Sequence, residues 1–141
     1  MPVLNRALVL NKLDRLKDYL SELETFASLS FEEYQSLIHN RRSVERLIQL
    51  LVECASDVNA HILAKKAKIV VEDYRSSFLL MGQKGYLNSE LAAGLSKAAG
   101  MRNRLVHEYE RIDDRIVFQS IPVALVSFKQ YMEQVLSLLA Q

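Results

Sequence analysis

The sequence is short of the residues that break or staple a chain. Its 141 residues include 4 glycines, 2 prolines and a single cysteine, with no tryptophan. So few Gly and Pro leave few sites for turns, which predicts long unbroken elements and argues against disorder. Cys54 cannot form an internal disulfide and offers no thiolate cluster for zinc. Its helical neighbours are apolar, so it reads as a small buried hydrophobe, and a lone thiol suits a reducing compartment. A charge excess is missing too: 18 Lys and Arg stand against 17 Asp and Glu, a net of +1. A broadly basic surface is excluded, and any nucleic-acid contact must come from a local patch. No apolar run approaches the ~20 residues of a membrane span. Met1 to Leu10 is interrupted by Asn5 and Arg6 where a signal peptide would be apolar. A cytoplasmic protein without a membrane is expected. There is no glycine-rich phosphate loop, no nucleophile elbow and no His or carboxylate cluster at metal spacing. No metal and no cofactor are expected.

What is present is helical periodicity. Residues 3–27 carry Leu4, Leu8, Leu13, Leu16, Leu20 and Leu23 as one stripe. Ser30 and Glu33 form a capping box opening a long second helix, about Phe31 to Ala64. Its core face holds Tyr34, Leu37, Ile38, Val44, Ile48, Leu51, Ala55, Val58 and Ile62. Arg41, Arg42 and Arg46 read as a solvated or rim face. Asp57 and His61, four apart, can touch, and an ordinary surface pair is the preferred reading. A third helix spans about Val71 to Met81, with Gly82 as its natural C-cap. A fourth starts at Asn88 or Ser89 and runs to about Tyr109. After a charged loop and a brief extended piece, Ile116 to Phe118, the last helix begins near Ser120 with Pro122 in its first turn. Ile121, Leu125, Phe128, Met132, Val135 and Leu139 form its stripe. No strand pattern or repeat is visible. The fold class is all-α: an antiparallel up-and-down bundle of four to five helices in a single domain, residues 1–141.

The polar chemistry gathers late. Leu91, Leu95, Ala98, Arg102, Leu105 and Tyr109 recur at the spacing of one apolar stripe. Arg102 therefore puts a guanidinium on a row that points into protein, where a charge must be paired or line a cleft. Arg102, Asn103, His107 and Tyr109 lie within little more than two turns. Such a set suits metal-free phosphodiester chemistry. An imidazole can move the proton of an RNA 2′-OH, and an arginine fork can hold the phosphate. Asn103 can hydrogen-bond the phosphate or His107, and Tyr109 can donate or stack. Arg102 and His107 are about 140° apart around a helix that turns ~100° per residue, so one helix does not aim both at one atom. Two copies about a two-fold axis would. A row of small or polar residues, Ala92, Ser96, Ala99, Gly100, Asn103 and His107, could supply the contact, with Gly100 permitting close approach. A plain structural reading also fits: His107 exposed, and Arg102 snorkelling or paired with Asp57 or Glu108.

The segment Gly100-Met101-Arg102-Asn103-Arg104-Leu105-Val106-His107-Glu108-Tyr109 resembles the motif of the HEPN superfamily. The form Arg, four residues, His, one residue, Tyr is similar to that of its HepT-like toxins. Asp57 to His61, then Tyr74-Arg75-Ser76-Ser77-Phe78, then the Arg–His motif, fall in the order that group shows, and the likeness extends over most of the chain. The resemblance implies a homodimeric, metal-independent endoribonuclease, the toxin of a type VII-like toxin–antitoxin pair. Carried over, Arg102 and His107 are the catalytic pair in a cleft between protomers and Asn103 assists. Tyr109 matches the tyrosine to which a minimal nucleotidyltransferase antitoxin adds AMP, placing bulk and charge in the cleft. Two other classes remain open on the residues: a non-catalytic helical adaptor that docks a nucleotidyltransferase or binds nucleotide, and a nucleic-acid-binding module without catalysis.

Overall fold

The computed structural model describes residues 3–108, 110 and 112–141. Among these residues there are six helices and no strand: α1 Arg6–Glu24, α2 Phe31–Ser36, α3 Ile38–Ala67, α4 Tyr74–Gln83, α5 Ser89–His107 and α6 Asp114–Leu139. The all-α bundle is as expected, with one more helix than the four or five read from periodicity.

α3 is the axis of the molecule, and every other helix packs against it. Val44, Leu51, Val52, Ala55, Val58, Ile62 and Leu63 on it are fully buried. By length and composition α3 could cross a bilayer, but 61% of its most apolar window is buried within the fold, so its apolarity is spent on the core. α1 contributes Val9, Leu13, Leu16, Leu20 and Leu23. Leu8, expected on that stripe, is 38% exposed, and Val9 is the buried residue in its place. The helix starts only at Arg6 because Asn5 caps it, its side chain accepting from the Leu8 N–H at 3.0 Å.

The expected second helix is broken once. The capping box forms, Ser30 Oγ accepting from the Glu33 N–H and Glu33 Oε1 from the Ser30 N–H. Leu37 then leaves the helical region at φ −119°, ψ 119°. α2 thus turns off α3, and Leu37 and Ile38, expected in the core, are 57% and 53% exposed.

α6 starts a turn and a half earlier than expected, and Ile116 to Phe118 are helical, not extended. Asp113 caps the helix, accepting from the Arg115 N–H. Asp114 pairs with Arg41 of α3 at 2.8 Å, which puts Arg41 at the rim of the helix packing and not in open solvent. The Phe118 ring meets Phe31 and Tyr34 of α2 at 5.6 and 5.3 Å, and Val117 is buried. These tertiary contacts pull the helix upstream, leaving Pro122 in its interior.

α4 and α5 form a tight hairpin. Its turn needs Gly85, at φ +75°. Gly82 lies inside α4 rather than capping it. A Cβ there would stand 2.7 Å from the Ala92 Cβ, so its role is close helix packing.

Cys54 is buried, as read, and its thiol donates to the Lys12 carbonyl at 3.3 Å. Burial pushes that thiol's pKa up, as neighbouring charges act in both directions. Asp57 and His61 have separate partners. Asp57 pairs with Lys12 at 3.0 Å. His61 Nε2 accepts the Asn5 N–H at 2.9 Å, which requires a neutral ring. Desolvation, then the charge of Lys65, hold its pKa below the ordinary value. Asp57 does not orient His61, and the surface pair expected between them does not form.

Candidate active-site cleft at the end of α5

An open cleft of about 510 Å³ lies where α5 ends beside α3 and the start of α4. Ser56, Asp57 and Ala60 of α3 form one wall, and Val71 to Asp73 with Tyr74 form the rim. Arg102, Asn103 and His107 of α5 face them. The three site residues named from sequence therefore line one cavity. Tyr109, the fourth, lies outside the described residues.

The local cause of this arrangement is capping at both helix entries. Asp73 ends the α3–α4 connection and accepts from the Ser76 N–H at 2.7 Å and its hydroxyl at 2.9 Å. Those bonds hold its carboxyl below the usual carboxylate range. Asn88 caps α5, accepting from the N–H groups of Glu90 and Leu91. From there the stripe runs through Leu91, Leu95 and Leu105, all buried, and delivers Arg102 between them on the inward row. α5 stops at His107, the last residue before the Glu108 cap, so the imidazole stands exposed at the cleft mouth.

Arg102 is neither free nor snorkelling, and its partner is neither Asp57 nor Glu108. Glu53 Oε2 accepts from its Nε at 3.2 Å and its Nη2 at 3.1 Å. The guanidinium carbon stands 4.4 Å from the Tyr74 ring centroid, a cation–π distance. Nη1 donates to Asn103 Oδ1 at 3.3 Å. The Arg102 side chain is only 14% exposed, so this pairing is what makes the charge tolerable there.

Behind the cleft wall lies a buried polar chain that sequence reasoning missed. The Tyr131 hydroxyl on α6 lies 2.6 Å from Asn59 Oδ1 and 2.9 Å from the Ala55 carbonyl. Asn59 Nδ2 donates to Ser77 Oγ at 3.1 Å, and Ser77 Oγ donates to the Tyr74 carbonyl at 2.7 Å. Ser56 Oγ, on the cleft wall, sits 3.1 Å from Ser77 Oγ. Burial drives the Tyr131 pKa well above the ordinary phenol value, so it stays a neutral donor. The signal was available: Asn59 interrupts the row Ala55, Val58, Ile62 as Arg102 interrupts its own.

The small-residue row of α5 is used inside the chain. Ala92, Ser96 and Ala99 are buried, Ala92 against Gly82 of α4. A Cβ at Gly100 would meet Arg75 of α4 at 3.8 Å, ordinary contact, so the close approach expected at Gly100 occurs at Gly82 instead. Only the Asn103–His107 end of the row remains open, at the cleft.

An all-α bundle that presents Arg, Asn and His at the end of its fifth helix has the form of a HEPN domain. The chain belongs to the ribonuclease HepT-like family, whose profile matches residues 16–135. It is 36% identical over 128 residues to the "tRNA nuclease HepT" of Aphanizomenon flos-aquae, across 91% of this chain and 87% of that one. To the "mRNA nuclease HepT" of Shewanella oneidensis it is 23% identical over 126 residues, 89% of this chain and 94% of that one. Among solved structures, a tri-AMPylated Shewanella oneidensis HEPN toxin in complex with MNT antitoxin superposes with a TM-score of 0.85 at 22% identity, covering 94% of this chain and 98% of that one. YutE, a cytosolic protein of unknown function from Bacillus subtilis, superposes at 0.83 and 18% identity, with 99% and 93% covered.

Proposed function

We propose that this chain, a single helical domain over residues 1–141, is the toxin of a toxin–antitoxin pair, a cytoplasmic endoribonuclease that cuts RNA without a metal ion. The observation that carries the reading is the meeting of Arg102, Asn103 and His107 in one open cleft of a ribonuclease HepT-like chain. The tRNA and mRNA nuclease names of the relatives support RNA as substrate.

In the reaction, an imidazole takes the proton of a 2′-OH as its oxygen attacks the adjacent phosphorus. The bond to the 5′-oxygen breaks, that oxygen takes up a proton, and a 2′,3′-cyclic phosphate remains. Arg102 holds the non-bridging oxygens and offsets the charge they gain, and Asn103 assists. The two proton transfers occur on opposite sides of the phosphorus, which suits two imidazoles better than one. A homodimer supplies two.

A minimal nucleotidyltransferase partner regulates the site by adding AMP to Tyr109, two residues beyond His107, blocking RNA by bulk and charge. The AMPylated toxin among the solved structures supports this step.

The test is RNA cleavage by the purified chain in EDTA, alone and after expression with its partner, with intact mass measured on both. Expected are cleavage by the unmodified chain, loss of at least ~100-fold in His107→Ala, and AMP-sized mass steps that abolish cleavage and are absent in Tyr109→Phe. Partner binding with no cleavage by the unmodified chain would replace this reading with the adaptor.

A further inference from the structure

Arg102 is held by three helices at once. Glu53 comes from α3, Tyr74 from α4, and Arg102 with Asn103 from α5. A guanidinium carries five N–H donors. Glu53 takes Nε–H and one hydrogen of Nη2, and Asn103 takes one of Nη1. One N–H therefore remains on each terminal nitrogen. Those two N–H groups are left for the oxygens of a phosphate. Tyr74, which also lines the cleft, lies against the guanidinium and stops it swinging away.

We propose that Glu53 is the positioning residue of the site: its carboxylate holds the flank of the Arg102 guanidinium so that those two N–H groups stay presented to a substrate phosphate. The inference rests on the ribonuclease reading above and adds a residue to it. Simple affinity does not account for Glu53. A carboxylate 3.1 Å from the phosphate-binding arginine weakens RNA binding by charge. What it contributes is pre-organisation. A free arginine would lose rotamer freedom on gripping phosphate, and Arg102 has lost it already.

These two effects pull in opposite directions, which makes the role measurable. Glu53→Ala and Glu53→Gln of the full chain are assayed for kcat and KM on RNA, with thermal melts as controls. The expected result for Glu53→Ala is a kcat reduced roughly ten- to a hundredfold, as for a misaimed group, with KM unchanged or lower. Glu53→Gln keeps an acceptor oxygen and is expected to lose less. The independent readout is the ¹⁵N–¹H signal of Arg102 Nε, assigned by its loss in Arg102→Lys. It should exchange slowly with water in the wild type and broaden in Glu53→Ala. Full kcat in a folded Glu53→Ala overturns the proposal. So does wild-type exchange at the rate of a free arginine, which needs no variant at all. If the wild type cleaves no RNA, the ribonuclease reading fails by itself, and the Nε signal still decides whether Glu53 holds Arg102.

Discussion

Arg102 and Asn59 pose the same problem: a polar group on a row that faces the core. The sequence marks such positions because burial of an unpaired polar group is costly. It does not name the partner. Glu53 is 49 residues from Arg102, and Tyr131 is 72 from Asn59, so neither pair follows from helical spacing. The near candidates for Arg102, Asp57 and Glu108, were the ones spacing could offer. The Asn59 network permits a prediction at this scale. Tyr131→Phe keeps the ring packed at 6.2 Å on Phe78 and deletes one hydroxyl. Asn59 Oδ1 then loses a buried donor, so unfolding free energy should fall by about 1–3 kcal/mol. Urea denaturation monitored by circular dichroism measures it. Because Asn59 holds Ser77, and Ser77 the Tyr74 carbonyl, RNA cleavage should weaken along with stability. An unchanged midpoint would show that the hydroxyl makes no net contribution.

At the scale of helices, periodicity placed most elements well, because α1, α3 and α5 each bury one continuous stripe. It failed where tertiary contacts override local pattern. Leu37 looks like a core position, yet the chain turns there so that α2 can reach Phe118. Ile116 to Phe118 look extended because β-branched and aromatic residues favour strands. The Arg41–Asp114 pair and the rings of α2 draw them into α6. Gly82 looks like a cap and is a contact. That difference gives a reciprocal test. In Gly82→Ala the new methyl would lie 2.7 Å from the Ala92 Cβ, so α4 and α5 must part. The gain in helix propensity is about 1 kcal/mol, and overpacking typically costs 1–3 kcal/mol. A net loss of up to roughly 2 kcal/mol is expected. Adding Ala92→Gly removes the opposing methyl, and the double variant should recover most of the clash, a coupling that a thermal-melt double-mutant cycle reads directly. Additive losses would mean that the two positions do not share one contact.

The whole molecule turns on whether the cleft belongs to one chain or two. Composition and length pointed to one helical bundle, and the bundle is what forms. The proposed dimer surface was less legible. A row of small residues on α5 invites a partner helix, but spacing cannot say whether the partner is in the same chain, and α4 occupies most of the row. If two copies meet, they do so at the open end, around Asn103, His107 and the cleft. A site built from both copies makes a sharp prediction. Arg102→Ala and His107→Ala, each alone, should be inactive. Mixed and allowed to exchange subunits, they form heterodimers in which one chain supplies Arg102 and the other His107. About half of the dimers are mixed at statistical exchange, and their cleft holds one Arg102 and one His107 in place of two of each, so partial activity, well below half of wild type, should return. Recovery requires the two groups to act across the two-fold axis. Absence of recovery in a mixture shown by native mass spectrometry to contain heterodimers would mean that one Arg102 and one His107 on opposite chains do not suffice for a site. A particle of one chain mass at micromolar concentration would remove the shared cleft altogether.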